Sequence, residues 1–223
     1  MPAKLSIVVP TLNAQDGLAR SLPPLSEGLT TGLIRDLVIS DGGSTDATLQ
    51  IAEAAGARTL QGVASRGGQL RRGAEAADGE WLFFLHADTV LPPGWADAVT
   101  KHMTTSRPAW CALRFDHGGL PARCVAGWAN LRARAFALPF GDQGLLISRD
   151  EYARVGGFRD QPLMEDVAMV RLLGRRLMPL PFTVTTSAEK YLRDGWLRRG
   201  GRNLGLLTRY LGGADPETLA KKY

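Results

Sequence analysis

Largely apolar runs recur along the first half of the chain, and each ends at a polar or glycine-rich turn. Their length and their β-branched and aromatic residues are typical of strands that are covered on both faces. Between them lie segments whose apolar residues recur at helical spacing. The alternation predicts an α/β fold with a mostly parallel central sheet flanked by helices. The runs occupy residues 5–9, 33–40, 57–60 and 81–85, with a further strand predicted at 110–115.

The turns between these runs carry the signals for the helices. Ser44 is a candidate N-cap for a helix over residues 47–55. Arg66 is predicted to lie in a flexible, glycine-containing loop ahead of a helix over residues 70–77. An arginine in such a loop could hold a phosphate, or it could be a solvated surface residue.

The second half of the chain is predicted to contain a short strand over residues 145–148 and a helix over residues 167–176. Glu165 and Asp166 fall at the start of that helix, where the helix dipole favours the ionised form of both carboxyl groups. A Glu-Asp pair at this place is also an ordinary helix-start feature.

Polar residues follow two of the predicted strands directly. His86 and Asp88 come after the apolar run 81–85, and Asp41 follows the run 33–40. Ligands of open α/β sheets bind in the crevice outside the carboxyl ends of the strands. We therefore expect Asp88 near a metal-bound phosphate and Asp41 near a base or ribose, although either could be a plain turn residue.

The composition is that of an ordinary globular protein. The chain has 223 residues, of which 44% are hydrophobic and 22% charged, enough for one large α/β domain. It contains no apolar run of about 18 residues and no secretory cleavage pattern, so a cytoplasmic protein is expected. Cys111 and Cys124 have no zinc-binding spacing and are predicted to be reduced core residues.

The positive charge is concentrated at one end. Residues 190–223 contain eight Lys or Arg and three acidic residues, which accounts for the whole formal charge of +5. The remainder of the chain has 19 of each sign. This distribution argues against nucleic acid as a partner and for a local contact with something anionic.

Several short motifs follow one another along the chain. They are Ser-Ile-Val-Val-Pro-Thr-Leu-Asn at 6–13, Ser-Asp-Gly-Gly-Ser-Thr-Asp at 40–46, Arg66-Gly67-Gly68, Leu-His-Ala-Asp at 85–88, Gly-Asp-Gln-Gly at 141–144, Gly-Gly-Phe at 156–158 and Glu165-Asp166. In this order they resemble the family 2 glycosyltransferases, over about residues 4–190. Leu-His-Ala-Asp-Thr and Gly-Asp-Gln-Gly are similar to a small bacterial subgroup associated with radical-SAM and selenodomain proteins.

The resemblance implies a GT-A fold, a Rossmann-like single domain over residues 1–190. Residues 1–115 would bind the nucleotide sugar, and residues 116–190 would form the acceptor half. The donor would be a nucleotide-diphosphate sugar, and a divalent cation, Mn²⁺ or Mg²⁺, would bridge its diphosphate. Transfer to an acceptor hydroxyl would invert the anomeric centre.

The resemblance also implies the roles of individual residues. Those that would bind the nucleotide sugar are Pro10, Thr11, Asn13, Asp41, Arg66, His86, Ala87 and Asp88. Within that set, Asp88 would contact the metal. Asp142 and Gln143 would lie on the acceptor side. Asp166 would be the catalytic base, with Glu165 beside it in the catalytic pair.

Two residues depart from the family pattern. The family usually has Asp-x-Asp at the metal position, whereas this chain has His86-Ala87-Asp88. Asn13 stands where many relatives have Glu. An imidazole is a poorer ligand for Mn²⁺ than a carboxylate, so His86 could hydrogen-bond ribose or phosphate instead of binding metal, or it could be a metal contact secondary to Asp88.

Residues 191–223 are predicted to form a basic amphipathic segment. On a helical wheel of residues 196–211, one face contains Leu197, Leu204, Leu207 and Leu211. The opposite arc contains Arg198, Arg199, Arg202 and Arg209. The leucine face could dock on the body of the enzyme, or the helix could lie on an anionic membrane and meet a lipid-linked acceptor.

The sequence is compatible with two functions from different classes. The first is a metal-assisted inverting sugar transferase with Asp166 as base. The second is a catalytically weak nucleotide-sugar-binding module, which the missing first Asp of the metal motif allows.

Overall fold

The apolar runs at residues 5–9, 33–40, 57–60 and 81–85 form four adjacent strands of a seven-stranded sheet. The computed structural model describes residues 3–221. The strands lie in the spatial order β3-β2-β1-β4-β6-β5-β7. Their bounds are Leu5–Thr11 (β1), Ile34–Asp41 (β2), Arg58–Gln61 (β3), Trp81–Phe84 (β4), Ala109–Phe115 (β5), Leu145–Ser148 (β6) and Met178–Thr186 (β7).

The sheet is mostly parallel, as predicted. Strands β1 to β4 run parallel to one another, and β5 pairs in parallel with β7. Only β6 runs antiparallel to its neighbours among the described strands, and it joins the two parallel groups. In the register of β1 and β2, Thr11 lies opposite Asp41, so the ends of these strands meet at one edge of the sheet.

Helices cover both faces of the sheet. Alternate residues of the central strands enter different cores: Ile7 and Phe83 pack on one side, and Val8 and Phe84 on the other. The helices are Gln15–Ser21 (α1), Ser26–Thr30 (α2), Thr48–Ala54 (α3), Arg66–Ala76 (α4), Trp95–Met103 (α5), Leu120–Phe136 (α6), Arg149–Arg154 (α7), Glu165–Leu173 (α8), Glu189–Asp194 (α9), Trp196–Leu211 (α10) and Pro216–Ala220 (α11).

Two predictions about helix starts are wrong. Ser44 does not cap α3, because its hydroxyl donates to Asp41, and Asp46 accepts the hydrogen bond from the Thr48 amide instead. Arg66 is not in a flexible loop, because α4 begins at this residue and Ser65 is its N-cap.

The close approach of another backbone fixes the start of α4. A Cβ at Gly67 would lie 2.0 Å from the carbonyl oxygen of Arg159, so only glycine fits there. The Gly67 amide donates to the carbonyl of Gln161 at 3.0 Å. The loop before α8 therefore holds Arg66 in place.

The C-terminal helices pack on the body of the protein. Leu206 and Leu207 of α10 are buried against Met164 and Val167 at the start of α8. The prediction that the leucine face of this helix docks on the body is wrong in part. Leu207 is buried, but Leu197, Leu204 and Leu211 are exposed. Arg199, predicted to face outward, is only 5% exposed and lies on the inner side of α10.

Two further observations concern the predictions from composition. Cys111 is buried as expected, but Cys124 is exposed on α6, so its assignment to the core is wrong. Within residues 3–221, no helix is both long and apolar enough to cross a membrane.

Candidate active site

A cleft of about 630 Å³ opens where the carboxyl ends of the parallel strands meet the helices of the second half. We call its two sides the strand-end wall and the helical wall. The strand-end wall consists of residues 10–17, 20, 46, 64, 66, 69 and 86–88. The helical wall consists of residues 115, 140–142, 162–166, 186, 187, 189–191, 199, 203 and 206.

Pro10 and Asn13 lie on the strand-end wall, in the loop after β1. Asn13 adopts a left-handed backbone conformation with φ 48°, which asparagine tolerates better than most residues. Its side-chain oxygen accepts a hydrogen bond from the backbone amide of Thr45 at 2.9 Å, and its own backbone amide donates to Ser44 Oγ at 2.7 Å. Asn13 therefore ties the loop after β1 to the loop after β2.

Asp41 lies behind this wall and does not reach the cleft. Its side chain is fully buried, and its two oxygens accept four hydrogen bonds, from Thr11 Oγ1, Ser44 Oγ and the amides of Gly43 and Ser44. Burial alone would raise the pKa of Asp41, but the bonds from Ser44, Thr11 and Gly43 outweigh it and lower the pKa. Asp41 therefore does not make the direct contact with a nucleotide that the sequence predicts. Its hydrogen bonds instead hold the loop after β2 in place.

Thr11 shares this supporting role. It is 2% exposed, and besides its bond to Asp41 its carbonyl accepts from the Gln69 side chain at 2.7 Å. The same Gln69 nitrogen donates to the Ser40 carbonyl at 2.9 Å. One side chain of α4 thus joins the ends of β1 and β2.

Asp88 and Ala87 form the part of the wall that follows β4. Ser21 Oγ of α1 donates to the Ala87 carbonyl at 2.7 Å, and the Thr89 amide donates to the His86 carbonyl at 3.1 Å. These bonds fix the turn. The Asp88 carboxylate is half-buried in the cleft, and no side chain in the described part of the protein hydrogen-bonds to it.

His86 is held by Arg66. Nε2 of His86 lies 3.2 Å from Nη1 of Arg66, and because a guanidinium can only donate, this ring nitrogen accepts. Burial, and after it the charges of Arg66 and Lys190, hold the pKa of His86 well below its usual value. The lone pair of Nε2 in the neutral ring therefore accepts the hydrogen bond from Arg66. Asp88 is for this reason the better candidate for a metal contact.

The residues present fit a cation only if the substrate supplies most of the ligands. Among the described residues no group of three or more His, Cys, Asp or Glu side chains could hold a metal ion. Mg²⁺ is commonly bound by one or two carboxylates together with substrate phosphates and water. Asp88, with its carboxylate facing the cleft, meets that requirement as a single protein ligand.

Asp166 faces Asp88 from the helical wall. Its Oδ2 accepts from the Gly141 amide and its Oδ1 from the Val167 amide, each at 2.7 Å. A Cβ at Gly141 would lie 2.5 Å from His86 Nε2, so this glycine lets the two walls approach. Because each carboxylate oxygen keeps a further lone pair, Asp166 can also accept a proton from a hydroxyl in the cleft.

Glu165 differs from its neighbour. It is only 2% exposed, and its Oε1 lies 3.8 Å from Nε of Arg66. Burial, followed by the charge of Asp166, raises the pKa of Glu165 to about 8 although Arg66 opposes the shift. The expectation that the helix dipole keeps Glu165 ionised is wrong, because burial outweighs the dipole.

The two residues predicted on the acceptor side, Asp142 and Gln143, lie in different environments. Asp142 lies in the cleft, where burial raises its pKa to about 6, with Arg132 opposing the shift. Gln143 is fully buried, its oxygen accepting from Arg132 and the Phe140 amide and its nitrogen donating to Cys111 and Asn130. Its assignment to the acceptor side is wrong, since its amide points into the core.

The C-terminal helices supply cleft residues that the sequence did not predict. Lys190, Tyr191, Arg199 and Asn203 line the helical wall. Asp194 holds one of them, Arg199, at 2.6 Å, and its carboxylate also pairs with Arg193 and Arg202, each at 2.9 Å. The concentration of cations after residue 189 was the available signal, but it did not identify which of them face the cleft.

A Rossmann-like sheet with a strand-end carboxylate, an arginine at a helix start and an opposing carboxylate defines the class of the GT-A glycosyltransferases. The glycosyl transferase family 2 model matches residues 6–138, and the chain belongs to this family. A PGL/p-HBAD biosynthesis glycosyltransferase of Mycobacterium bovis is 39% identical over 98 residues, which span 39% of this chain and 36% of that protein. Proteins of Mycobacterium tuberculosis with the same description match equally well.

Solved structures have the same fold. S. aureus TarS in complex with UDP superimposes with a TM-score of 0.64 at 15% identity, over 82% of this chain and 60% of that one. Glucosyl-3-phosphoglycerate synthase from Mycobacterium tuberculosis, in complex with Mn²⁺, UDP and glucosyl-3-phosphoglycerate, gives a TM-score of 0.60 at 21% identity, over 82% of this chain and 71% of that one.

Proposed function

We propose that this protein transfers a sugar from a nucleoside-diphosphate sugar to an acceptor hydroxyl with inversion at the anomeric carbon. The observation that carries the proposal is that Asp88 and Arg66 on one wall, and Asp166 on the other, face the same cleft. The first two suit a diphosphate, and the third suits a hydroxyl. The named relatives and the UDP complexes of the similar structures support a sugar nucleotide as donor.

The strand-end wall would bind the donor. Pro10 and Asn13 would contact the nucleoside, with Thr11 and Asp41 holding their loops in place. A divalent cation at Asp88, as Mn²⁺ in the similar synthase structure suggests, would neutralise charge on the departing diphosphate. Arg66 would add a second positive charge, because its guanidinium lies on the same wall.

The helical wall would bind the acceptor and take its proton. The acceptor oxygen attacks the anomeric carbon while the bond from that carbon to the diphosphate oxygen breaks. The hydroxyl proton passes to Asp166, and the negative charge leaves with the nucleoside diphosphate. Glu165 is a poorer base at neutral pH because its pKa of about 8 keeps it protonated.

A nucleotide-sugar-binding module without appreciable turnover is the second candidate. The observation that favours it is the imidazole of His86, which Arg66 occupies, at the first position of the metal motif. Such a module would need Asp88 and Arg66 but not Asp166. The two candidates therefore differ in what the loss of Asp166 does.

The test begins with a donor. A panel of nucleotide sugars is screened by thermal shift with and without Mn²⁺, since a ligand that binds the folded state raises the melting temperature. Release of nucleoside diphosphate from the best donor is then measured with simple glycosides and lipid-linked alcohols as acceptors. We expect Asp166→Asn to lower the release rate by about 10²–10⁴-fold while the donor-induced thermal shift is unchanged.

Asp150→Asn is the matched control, because Asp150 is an exposed carboxylate at the start of α7. It should leave both readouts as in the parent. Donor binding by the parent without any turnover across the acceptor panel would favour the binding module. Turnover that survives Asp166→Asn would exclude Asp166 as the base.

A further inference from the structure

Helix α6 presents two faces of opposite character. Its inner face is built from small residues, Ala122, Ala126, Ala129 and Ala133, and it packs closely on β5. Its outer face contains Leu120, Trp128 and Leu131, which are 72%, 46% and 55% exposed. Cys124 is exposed on the same face. A row of large apolar side chains that points into solvent indicates an interaction surface.

Helix α10 has a similar row. It packs beside α6, and its residues Leu197, Leu204 and Leu211 recur every seven positions. Their exposed fractions are 93%, 46% and 43%. The inner face of the same helix is already occupied, because Leu206 and Leu207 are buried against α8. The exposed leucines are therefore not needed to hold α10 on the body.

The charges on these helices have one sign. Neither α6 nor α10 contains an acidic residue, whereas they contain three and four arginines. Four of these arginines are exposed, and none of the four pairs with a carboxylate of the described residues: Arg123, Arg134, Arg198 and Arg209. An acidic face of a protein partner could pair with the arginines, but it would not bury the row of leucines.

We propose that the outer faces of α6 and α10 form a surface that binds the interface of an anionic phospholipid bilayer. Large apolar side chains flanked by arginines, without acidic residues, are the features of helices that lie in a bilayer interface. The leucines and Trp128 enter the boundary between headgroups and acyl chains. The arginines contact the anionic headgroups.

The surface also places the cleft at the membrane. Arg199 and Asn203 on the inner side of α10 line the cleft, and Leu197 and Leu204 of the same helix belong to the proposed surface. A helix has a diameter of only about 10–12 Å, so the cleft lies close to the bilayer. If the proposed transfer function holds, the acceptor is a hydroxyl on a lipid or on a lipid-linked group.

Cys124 provides a native reporter for the experiment. Because the other cysteine, Cys111, is buried, an environment-sensitive thiol dye labels Cys124 alone in the folded protein. Labelled protein is mixed with vesicles of phosphatidylcholine alone, or with 30 mol% phosphatidylglycerol, at low and high salt. We expect a blue shift of the dye and co-sedimentation with the anionic vesicles only, and weaker binding at high salt.

A quadruple variant tests the charges. Arg123, Arg134, Arg198 and Arg209 are replaced by Gln, and the expected loss of apparent vesicle affinity is on the order of 100-fold. The matched control replaces four cations of the first half by Gln and changes the net charge equally: Lys4, Arg35, Arg71 and Lys101. It should bind vesicles as the parent does.

A second variant tests the apolar row without touching the charges. Leu120→Ser with Leu197→Ser should abolish the dye shift while the melting temperature stays near that of the parent, because both side chains are largely solvent-exposed. If the parent does not bind anionic vesicles at low salt, or if the control loses as much affinity as the quadruple variant, the proposal is wrong. Neither result bears on sugar transfer, which is measured separately with a soluble acceptor.

Discussion

The two walls of the cleft are held by different kinds of contact. On the strand-end wall and directly behind it, short side chains such as Asn13 and Asp41 accept hydrogen bonds from backbone groups of the loops that form the wall. Behind the helical wall, the long side chains of Arg199, which lines the cleft, and Arg202 converge on one carboxylate, Asp194. Buried hydrogen bonds to backbone groups are costly to break, whereas an ion pair between long side chains also costs the conformational entropy of holding both in one geometry.

The difference matches the tasks that we propose for the two walls. A diphosphate and a base have one required geometry, which a wall fixed by backbone hydrogen bonds can supply. An acceptor has to enter, react and leave, which a wall held by long side chains permits.

Removing the metal contact is expected to have the largest effect. Asp88→Asn should lower the affinity for a nucleoside diphosphate in the presence of Mn²⁺ by about 100-fold, since a carboxylate is a stronger ligand than an amide for this ion. Calorimetry with and without Mn²⁺ measures it. Asp97→Asn, at an exposed carboxylate of α5, is the control. Unchanged binding by Asp88→Asn, together with its loss in His86→Ala, would assign the metal to the imidazole.

Asp41→Asn is expected to destabilise the strand-end wall as a whole. The NH2 group that replaces one oxygen cannot accept the two bonds made to that oxygen, which come either from Thr11 Oγ1 and Ser44 Oγ or from the amides of Gly43 and Ser44. The free energy of unfolding should therefore fall by about 2–4 kcal/mol. Urea denaturation measures the change. Thr11→Val, which removes only one of these bonds, should cost about 1 kcal/mol. A stable Asp41→Asn protein that no longer binds nucleotide would restore the direct contact that the sequence predicts.

The contrast between the walls also explains which residues could be predicted from the sequence. The positions of the strands in the first half follow from apolar runs and glycine turns, which are local signals. Asp88, Arg66 and Asp166 could be proposed because each lies beside a predicted strand end or helix start, and the family resemblance implied their roles. Burial of Asp41 and Gln143 could not be predicted, since it depends on side chains far away in the sequence, such as Thr11 and Arg132.

The helical wall was harder to predict for a similar reason. A helical wheel places Arg199 on the edge of the cationic arc of α10, and its ion pair with Asp194 at 2.6 Å turns it inward. Tyr191 adds an aromatic ring 5.5 Å from the guanidinium. Lys190 precedes the helix predicted over residues 196–211, so helical periodicity could not indicate that it faces the cleft. Arg199 reaches the cleft because α10 packs on the start of α8.

Glu165 gives a pH-dependent test at the junction of the walls. Its pKa is raised from 4.5 to about 8, so the folded state holds a proton that the unfolded chain releases between these values. The free energy of unfolding should therefore fall as the pH rises through this window, by on the order of 2 kcal/mol from pH 6 to pH 8. Glu165→Gln should make the profile flatter, because the amide stays neutral.

Chemical denaturation at several pH values checks this expectation. Glu53→Gln, at an exposed position of α3, is the control and should keep the parent profile. A Glu165→Gln profile as steep as that of the parent would mean that Arg66 keeps the carboxylate ionised in the folded protein.

Lys190→Gln should have the smallest effect and shows whether the helical wall also contacts the donor. Part of the Lys190 side chain reaches solvent, but burial and the charge of Arg66 lower the pKa of its ammonium, and Asp88 opposes that shift. The ammonium therefore lies within electrostatic range of the groups that we propose for the diphosphate. Loss of one such charge should weaken UDP binding by about 10-fold, the equivalent of roughly 1.4 kcal/mol. Uridine, which lacks the phosphates, should bind Lys190→Gln and the parent equally, and Lys101→Gln should change neither affinity. A variant that loses UDP and uridine to the same extent would show that Lys190 supports the wall and does not contact the diphosphate.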